Sequence, residues 1–125
     1  MQNAEELLKH TGVRAAIDGI AKEDLYYGID HAEGRNANDT VEWSVKDLKI
    51  AQRAGRRVLA VEYLSDPRKI ADAKRRAAKD GFLLHVTVRD LGQLTLEHID
   101  AAPAPEAAKP ATAPPPPSAP SRPQR

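Results

Sequence analysis

Three charged side chains sit where strand-like runs of this sequence give out: Glu23 in "AIDGIAKEDLYYGID", Glu62 in "RVLAVEYL" and Arg89 just after "FLLHVTV". Side chains alternate across a strand. Alternation groups Glu23 with Gly19 and Ala21, and Glu62 with Val58 and Ala60. It leaves Leu59, Val61 and Tyr63 on the second run's other face. Arg89 falls with Leu83, His85 and Thr87, opposite the apolar Phe82, Leu84, Val86 and Val88. If the three runs are neighbouring strands, two carboxylates and a guanidinium converge at their C-terminal ends. In parallel α/β architectures ligands bind at that end. The same pattern also fits a structural ion-pair network, or loop charges in water.

Positioning these groups requires strands joined by helices, and the sequence spells that alternation. "AEELLKH" reads as a short helix with Asn3 as its N-cap. "IDGIA", Ile17 to Ala21, is a short strand, and "EGRNAND" a polar loop. Asp39 followed by Glu42 has capping-box spacing, so Asp39 is expected to cap the next helix. Val41, Val45 and Leu48 line one face of that helix and Gly55 closes it. "RVLAVEYL" is nearly continuous and apolar, as for a strand buried on both faces. Asp66 caps a further helix with Pro67 at its first position. Ile70, Ala73 and Ala77 form its buried stripe and Gly81 stops it. "FLLHVTV" is the third strand, and Asp90 is expected to cap a short helix through Leu94. This β-α-β-α-β order predicts parallel strands with helical crossovers. The leading helix lacks its own strand, and "MQN" reads as that strand's last residues.

Composition bounds the rest. Of the 125 residues, every proline except Pro67 lies in "APAPEAAKPATAPPPPSAPSRPQR". That segment has almost no large apolar side chain and cannot offset the entropy of ordering. We expect a foldable domain over 1–99 and a disordered Pro/Ala-rich tail over 100–125, with polyproline II character at Pro114 to Pro117. A formal net charge of +1 argues against a dedicated nucleic-acid binder. The absence of cysteine excludes disulfides and thiolate catalysis. No apolar run approaches the ~20 residues of a membrane helix, and since Met1 is followed directly by "QNAEELLKH", no signal peptide is expected in the sequence as it stands.

"QNAEELL", "IDGIAKEDLYYG", "AGRRVLAVEYLSDPRKIADAKRRAAKDGF" and "VRDLGQL" resemble, in the same order, the C-terminal part of the glycoside hydrolase family 114 barrels, the endo-α-1,4-polygalactosaminidase-like proteins. The resemblance covers nearly all of the foldable region and none of the tail. Its most telling residues are Asn3, Glu23, and the Glu62–Tyr63 pair. It implies the C-terminal portion of a (β/α)8 TIM-type barrel, with Met1 to Asn3 a stub of the fifth strand and the three runs the sixth to eighth. Such barrels take about 250 residues, so the first four strands and a family aspartate at the end of the fourth are not in this chain. The family often carries a lysine before the asparagine; here it is Gln2.

The resemblance implies hydrolysis of an α-1,4-linked aminosugar polysaccharide by paired carboxyl groups, one protonating the leaving oxygen and the other attacking or activating water. Glu23 takes the family glutamate's place as acid/base, for which a raised pKa would be needed. Asn3, Glu62, Tyr63 and Arg89 are the substrate-binding candidates, with Glu62 and Tyr63 lining the subsites or orienting Glu23. Arg89 pairing with Glu62 is the structural alternative. No cofactor or metal is implied. With its partner carboxylate missing, the chain alone is expected to be inactive. Its full-length parent is expected to be extracellular or periplasmic. A non-catalytic carbohydrate-binding or self-associating module is the alternative reading, since open sheet edges invite pairing.

The remaining chemistry-bearing residues carry blander expectations. Asp24 should point away from Glu23 into a loop or cap role. Tyr26 and Tyr27 fit either a stacking platform for a sugar or loop packing, with packing preferred. Trp43 is expected in the helix–barrel core, and His85 as a hydrogen-bonded interior histidine. His31, Asp30 and Glu33 have no organised metal-ligand spacing. "KRRAAK" is read as a solvated helix face, and "APPPPSAP" as part of a flexible terminus rather than a ligand for an SH3-like groove.

Overall fold

A computed structural model describes residues 1–91 and the backbone of Ile99 and Asp100. Three strands, β1 (Gly19–Glu23), β2 (Arg57–Tyr63) and β3 (Leu83–Thr87), run parallel in sequence order. Three helices accompany them: α1 (Thr11–Ala16), α2 (Asn38–Arg53) and α3 (Pro67–Asp80). At the far edge of β3 a two-residue strand, β4 (Ile99–Asp100), pairs antiparallel with Leu84 and His85. At the far edge of β1, Gln2 makes a parallel bridge to Ala21: the Ala21 amide donates to the Met1 carbonyl (2.9 Å), and the Asn3 amide to the Ala21 carbonyl (3.0 Å). Met1 to Asn3 is thus a strand stub, as expected.

Neighbouring parallel strands in sequence order, joined by right-handed crossovers, place both crossover helices on one side of the sheet. The core forms there. Ile20, Val58, Ala60, Leu84 and Val86 meet Val41, Leu48 and Ala51 of α2 and Ala73 and Ala77 of α3, all buried. Leu59, Val61, Tyr63, Leu83 and His85, on the opposite side, are only half-buried. β2 is therefore covered on one face, a correction to the expectation of burial on both. The sheet is open, with a helical layer on one side.

The sequence signals around α3 act as read. Asp66 Oδ1 accepts from the Arg68 amide (2.8 Å), Pro67 opens the helix, and Gly81 ends it in the left-handed region at φ 74°. Elsewhere local signals give way. α2 begins one residue before Asp39, after Ala37, and no side chain caps it; Asp39 sits in the first turn and accepts from the adjacent Thr40 amide. "EELLK" forms a 3-10 helix, Glu5–Lys9, and Asn3 does not cap it. α1, which carries no strong periodicity, intervenes before β1. β1 itself starts two residues later than expected and runs to Glu23, because its ladder with Arg57 to Val61 sets its limits. Trp43 is 53% exposed and not in the core, with the Lys9 ammonium 5.9 Å from its ring centre. Instead the α2 side facing the 3-10 helix buries polar groups: Ser44 donates to Glu5 (3.0 Å), whose carboxylate also holds Lys22 (2.9 Å). The helix expected after Asp90 and the Pro/Ala-rich tail lie outside the described residues. No helix among the described residues is long and apolar enough to cross a membrane.

Candidate functional site

Register decides which strand-end groups meet. Glu23 pairs with Val61, and Val61 with His85, while Glu62 pairs with Val86. Glu23 therefore shares a face with Val61, Tyr63, His85 and Thr87, the face without helices. Glu62 points the other way. It is 0% exposed, and its carboxylate accepts from the backbone amides of Tyr26 (2.8 Å) and Tyr27 (3.3 Å). This corrects the expected convergence: Glu62 neither joins Glu23 nor presents itself to a ligand. It ties the β1–α2 connection to the end of β2.

Glu23 is the centre of a small network. Its Oε2 accepts from the Asn3 side-chain amide at 2.7 Å, and the Glu23 backbone amide donates to Asn3 Oδ1 at 2.9 Å. Asn3 adopts φ 49° in this reciprocal clasp. The Tyr63 hydroxyl donates to Glu23 Oε1. Behind Tyr63 lies Arg89, its guanidinium carbon 4.5 Å from the ring centre. Arg89 does not pair with Glu62, contrary to the structural alternative. Its two terminal nitrogens bind the two oxygens of Asp24, at 2.9 and 3.3 Å. Asp24 is thereby more than a loop charge: at φ 49° it turns its carboxylate toward the residue that backs Tyr63. Gly28 keeps room for this clamp. A Cβ there would lie 2.7 Å from Asp24 Oδ1 and 3.2 Å from Arg89 Nη2, at φ +86°.

The electrostatics shift the two glutamates in opposite directions. The Tyr63 hydroxyl first, then the Asn3 amide, holds the Glu23 carboxyl below the ordinary glutamate value, against a smaller opposing effect of burial. This overturns the expectation of a raised pKa for Glu23. Burial pushes Glu62 up to about 7, even though backbone amides favour its ionised form. Tyr63 is pushed up to about 12 by burial and by the carboxylates of Glu23 and Asp24, so it stays a hydrogen-bond donor at neutral pH. An ionised carboxylate fixed by a phenol and an amide can bind a cation, accept a proton or attack an electron-poor carbon. It is poorly suited to donating a proton.

A cleft of about 330 Å³ opens beside this network, lined by His31, Glu33, Tyr63, Ser65, Thr87 and Arg89. Glu33 accepts from the Ser65 hydroxyl (2.6 Å) and amide (2.8 Å), which pins the 28–36 loop over the end of β2. Nothing local in the sequence signals that link across 32 positions, nor the Asp24–Arg89 pair across 65. Tyr26 and Tyr27 are buried and donate to Asp80 (2.9 Å) and Asp72 (2.7 Å) on α3, so they pack the loop, as preferred, and offer no sugar platform. His85 is half-buried on the uncovered face, and its enclosed Nδ1 has no hydrogen-bond partner, unlike the bonded histidine expected. Among the described residues no group of three or more His, Cys, Asp or Glu could hold a metal ion.

No family model matches the chain. It is 29% identical over 96 residues to an uncharacterized protein of Deinococcus radiodurans. That alignment takes in 76% of this chain and 30% of the relative, so the chain spans less than a third of the length of the relative it matches.

Proposed function

We propose that the chain supplies the catalytic-end segment of a (β/α)8 barrel of the glycoside hydrolase family 114 type, acting on an α-1,4-linked galactosamine-type polysaccharide. One observation carries this reading: Asn3, Glu23 and Tyr63, far apart in sequence, form one hydrogen-bonded unit at the C-terminal ends of parallel strands, on the side without helices. Barrels put their active sites at that end. Helices on one side only, with strands in sequence order, are also what a barrel wall requires. The much longer relative leaves room for the other strands.

In this reading Glu23 works as a carboxylate, the nucleophile or the base that activates water, and the proton for the leaving oxygen comes from a second carboxyl group outside this chain. Asn3 and Tyr63 orient it. Arg89 holds Tyr63 through ring contact and is held by Asp24. An ionised Glu23 also suits a polymer bearing ammonium groups. The full-length protein would meet such a polymer outside the cytoplasm.

The test is an NMR titration of residues 1–125 with galactosamine oligomers. Shifts centred on Asn3, Glu23 and Tyr63, abolished by Glu23→Gln, are expected, together with no hydrolysis by the chain alone. Shifts elsewhere only, or measurable hydrolysis without a second carboxylate, reject the proposal. A second reading, a self-associating or sugar-binding module without catalysis, is favoured by one feature: Leu59, Val61 and Leu83 are only half-buried on the uncovered face. A monodisperse monomer by light scattering counts against the self-associating form.

A further inference from the structure

On the other side of the sheet, a groove of about 730 Å³ runs between α2 and α3, with Tyr26 and Arg35 contributing to its wall. Seven cationic side chains line it against three anionic ones, an excess of four positive charges on a chain whose formal net charge is +1. All other residues together are therefore net negative, and the positive charge is concentrated here. Lys46, Lys49 and Arg53 follow one another at spacings of three and four along α2, and Arg75 or Arg76 and Lys79 do so along α3. Like charges at such spacings and across a narrow groove repel one another, so this arrangement costs stability while the groove is empty of anions.

Two of the three acids in the groove are engaged by side chains of its wall, and the third, Glu42, stands one turn before Lys46 on α2. Asp80 accepts the Tyr26 hydroxyl and Asp72 the Tyr27 hydroxyl. Asp72 is further shared between Arg75 and Arg76, the latter at 3.9 Å. Among the described residues Arg35, Lys46, Arg53 and Lys79 have no carboxylate within ion-pair distance. Arg76 is 17% exposed, lies 4.6 Å from the Tyr26 ring centre, and has an enclosed Nη1 with no hydrogen bond. Ion-paired to Asp72 and stacked on Tyr26, this half-buried guanidinium holds a fixed positive charge in the groove wall. The volume falls within the range of small-molecule sites, about 300–1,000 Å³.

We propose that the groove between α2 and α3 binds a small multivalent oxyanion of the phosphate class, either a free polyphosphate or the phosphate groups of a small metabolite. Guanidinium and ammonium groups recognise phosphate oxygens by charge-assisted hydrogen bonds. Lys46, Arg53 and Lys79 would supply flexible contacts and Arg76 a fixed one. The site lies on the helical side of the sheet, away from Glu23, so it stands or falls independently of the hydrolase reading.

The experiment is calorimetric titration of residues 1–125 with sodium pyrophosphate at constant ionic strength, beside a nucleoside diphosphate and a short single-stranded DNA. Saturable binding is expected, weakening as sodium chloride is raised. A nucleoside diphosphate binding more tightly than pyrophosphate assigns the site to a metabolite; equal or weaker binding assigns it to the free anion. The exposed triple change Lys46→Gln, Arg53→Gln, Lys79→Gln should weaken binding about tenfold or more, while Arg68→Gln, outside the groove, and Glu23→Gln leave it within about twofold. If thermal unfolding shows the triple variant misfolded, Arg53→Gln alone is measured, and its binding should still be weaker than that of Arg68→Gln. No saturable binding of pyrophosphate, binding unchanged in the groove variants, or DNA binding that displaces pyrophosphate would each overturn the proposal.

Discussion

Two glutamates end neighbouring strands of one sheet and live opposite lives. Glu23 stands on the face without helices, half-exposed, and its polar partners come from side chains: Asn3 and Tyr63. Glu62 stands on the helical face, without solvent, and its partners are two backbone amides. The Tyr63 and Asn3 donors hold the first below the ordinary glutamate value; burial makes the second reluctant to ionise. A carboxylate held by side chains on an open face is available for binding and chemistry. One that satisfies backbone amides inside the core is a structural cross-link. Residue type and position at a strand end do not separate these roles. The side of the sheet does.

Removing the cross-link should have the largest effect. Glu62→Ala leaves two enclosed amides unpaired and opens a cavity, and should cost about 3–5 kcal/mol in denaturant unfolding. A loss under ~1 kcal/mol would break the contrast drawn between the two glutamates. The pH dependence of stability comes next. Between the ordinary glutamate value of 4.5 and about 7, folded Glu62 binds more protons than unfolded Glu62, so its contribution to stability declines as pH rises through that window. Glu23 has the opposite sign: its contribution is complete above 4.5 and is lost as pH falls below it. Thermal melts from pH 4 to 8 should show Glu62→Gln flattening the upper decline by roughly 2–3 kcal/mol, and Glu23→Gln changing only the acid limb.

The clamp behind the site offers a smaller test. Gly28→Ala puts a methyl group against Asp24 and Arg89 at a left-handed backbone position, and should cost about 1–3 kcal/mol while separating that pair. NMR of the Arg89 side chain would detect the separation, and an intact pair would refute the role given to Gly28. Smallest of all, Tyr63→Phe should change stability by less than about 1 kcal/mol. Its informative readout is the Glu23 carboxyl titration, which should move up toward the ordinary glutamate value; no movement would mean that the phenol is not what lowers it.

Much of this molecule is written locally. Asp66, Pro67 and Gly81 bracket α3 because a cap, a fixed φ and a left-handed stop each act within a few residues. The runs "RVLAVEYL" and "FLLHVTV" mark β2 and β3, and "MQN" marks the stub beside β1. Strand alternation marks Glu23 and Glu62 alike as strand-end acids, and the resemblance picks out Glu23 with Asn3 and Tyr63, which do join it. Asp39, by contrast, has the right spacing for a cap and is not one: α2 starts at Asn38, which places Asp39 inside the first turn. Trp43 is a large apolar residue on an amphipathic helix and still faces water, since α2 turns Ser44 and Asp47 toward the 3-10 helix in its stead.

By itself, the sequence determined the β-α-β-α-β succession of β1 to β3 with α2 and α3, though not α1 or β4, together with the parallel α/β class and the alternation within each strand, all of which depend on short-range sterics and hydrophobic periodicity. It did not determine how one strand's alternation lines up with the next. That register, Glu23 beside Val61 and Glu62 beside Val86, is set by crossover lengths and by how α2 and α3 seat on the sheet. A shift of one residue exchanges the two faces of a strand. Only the tertiary structure, therefore, decided that Glu23 faces the open side while Glu62 is sealed in the core, and that Arg89 answers to Asp24.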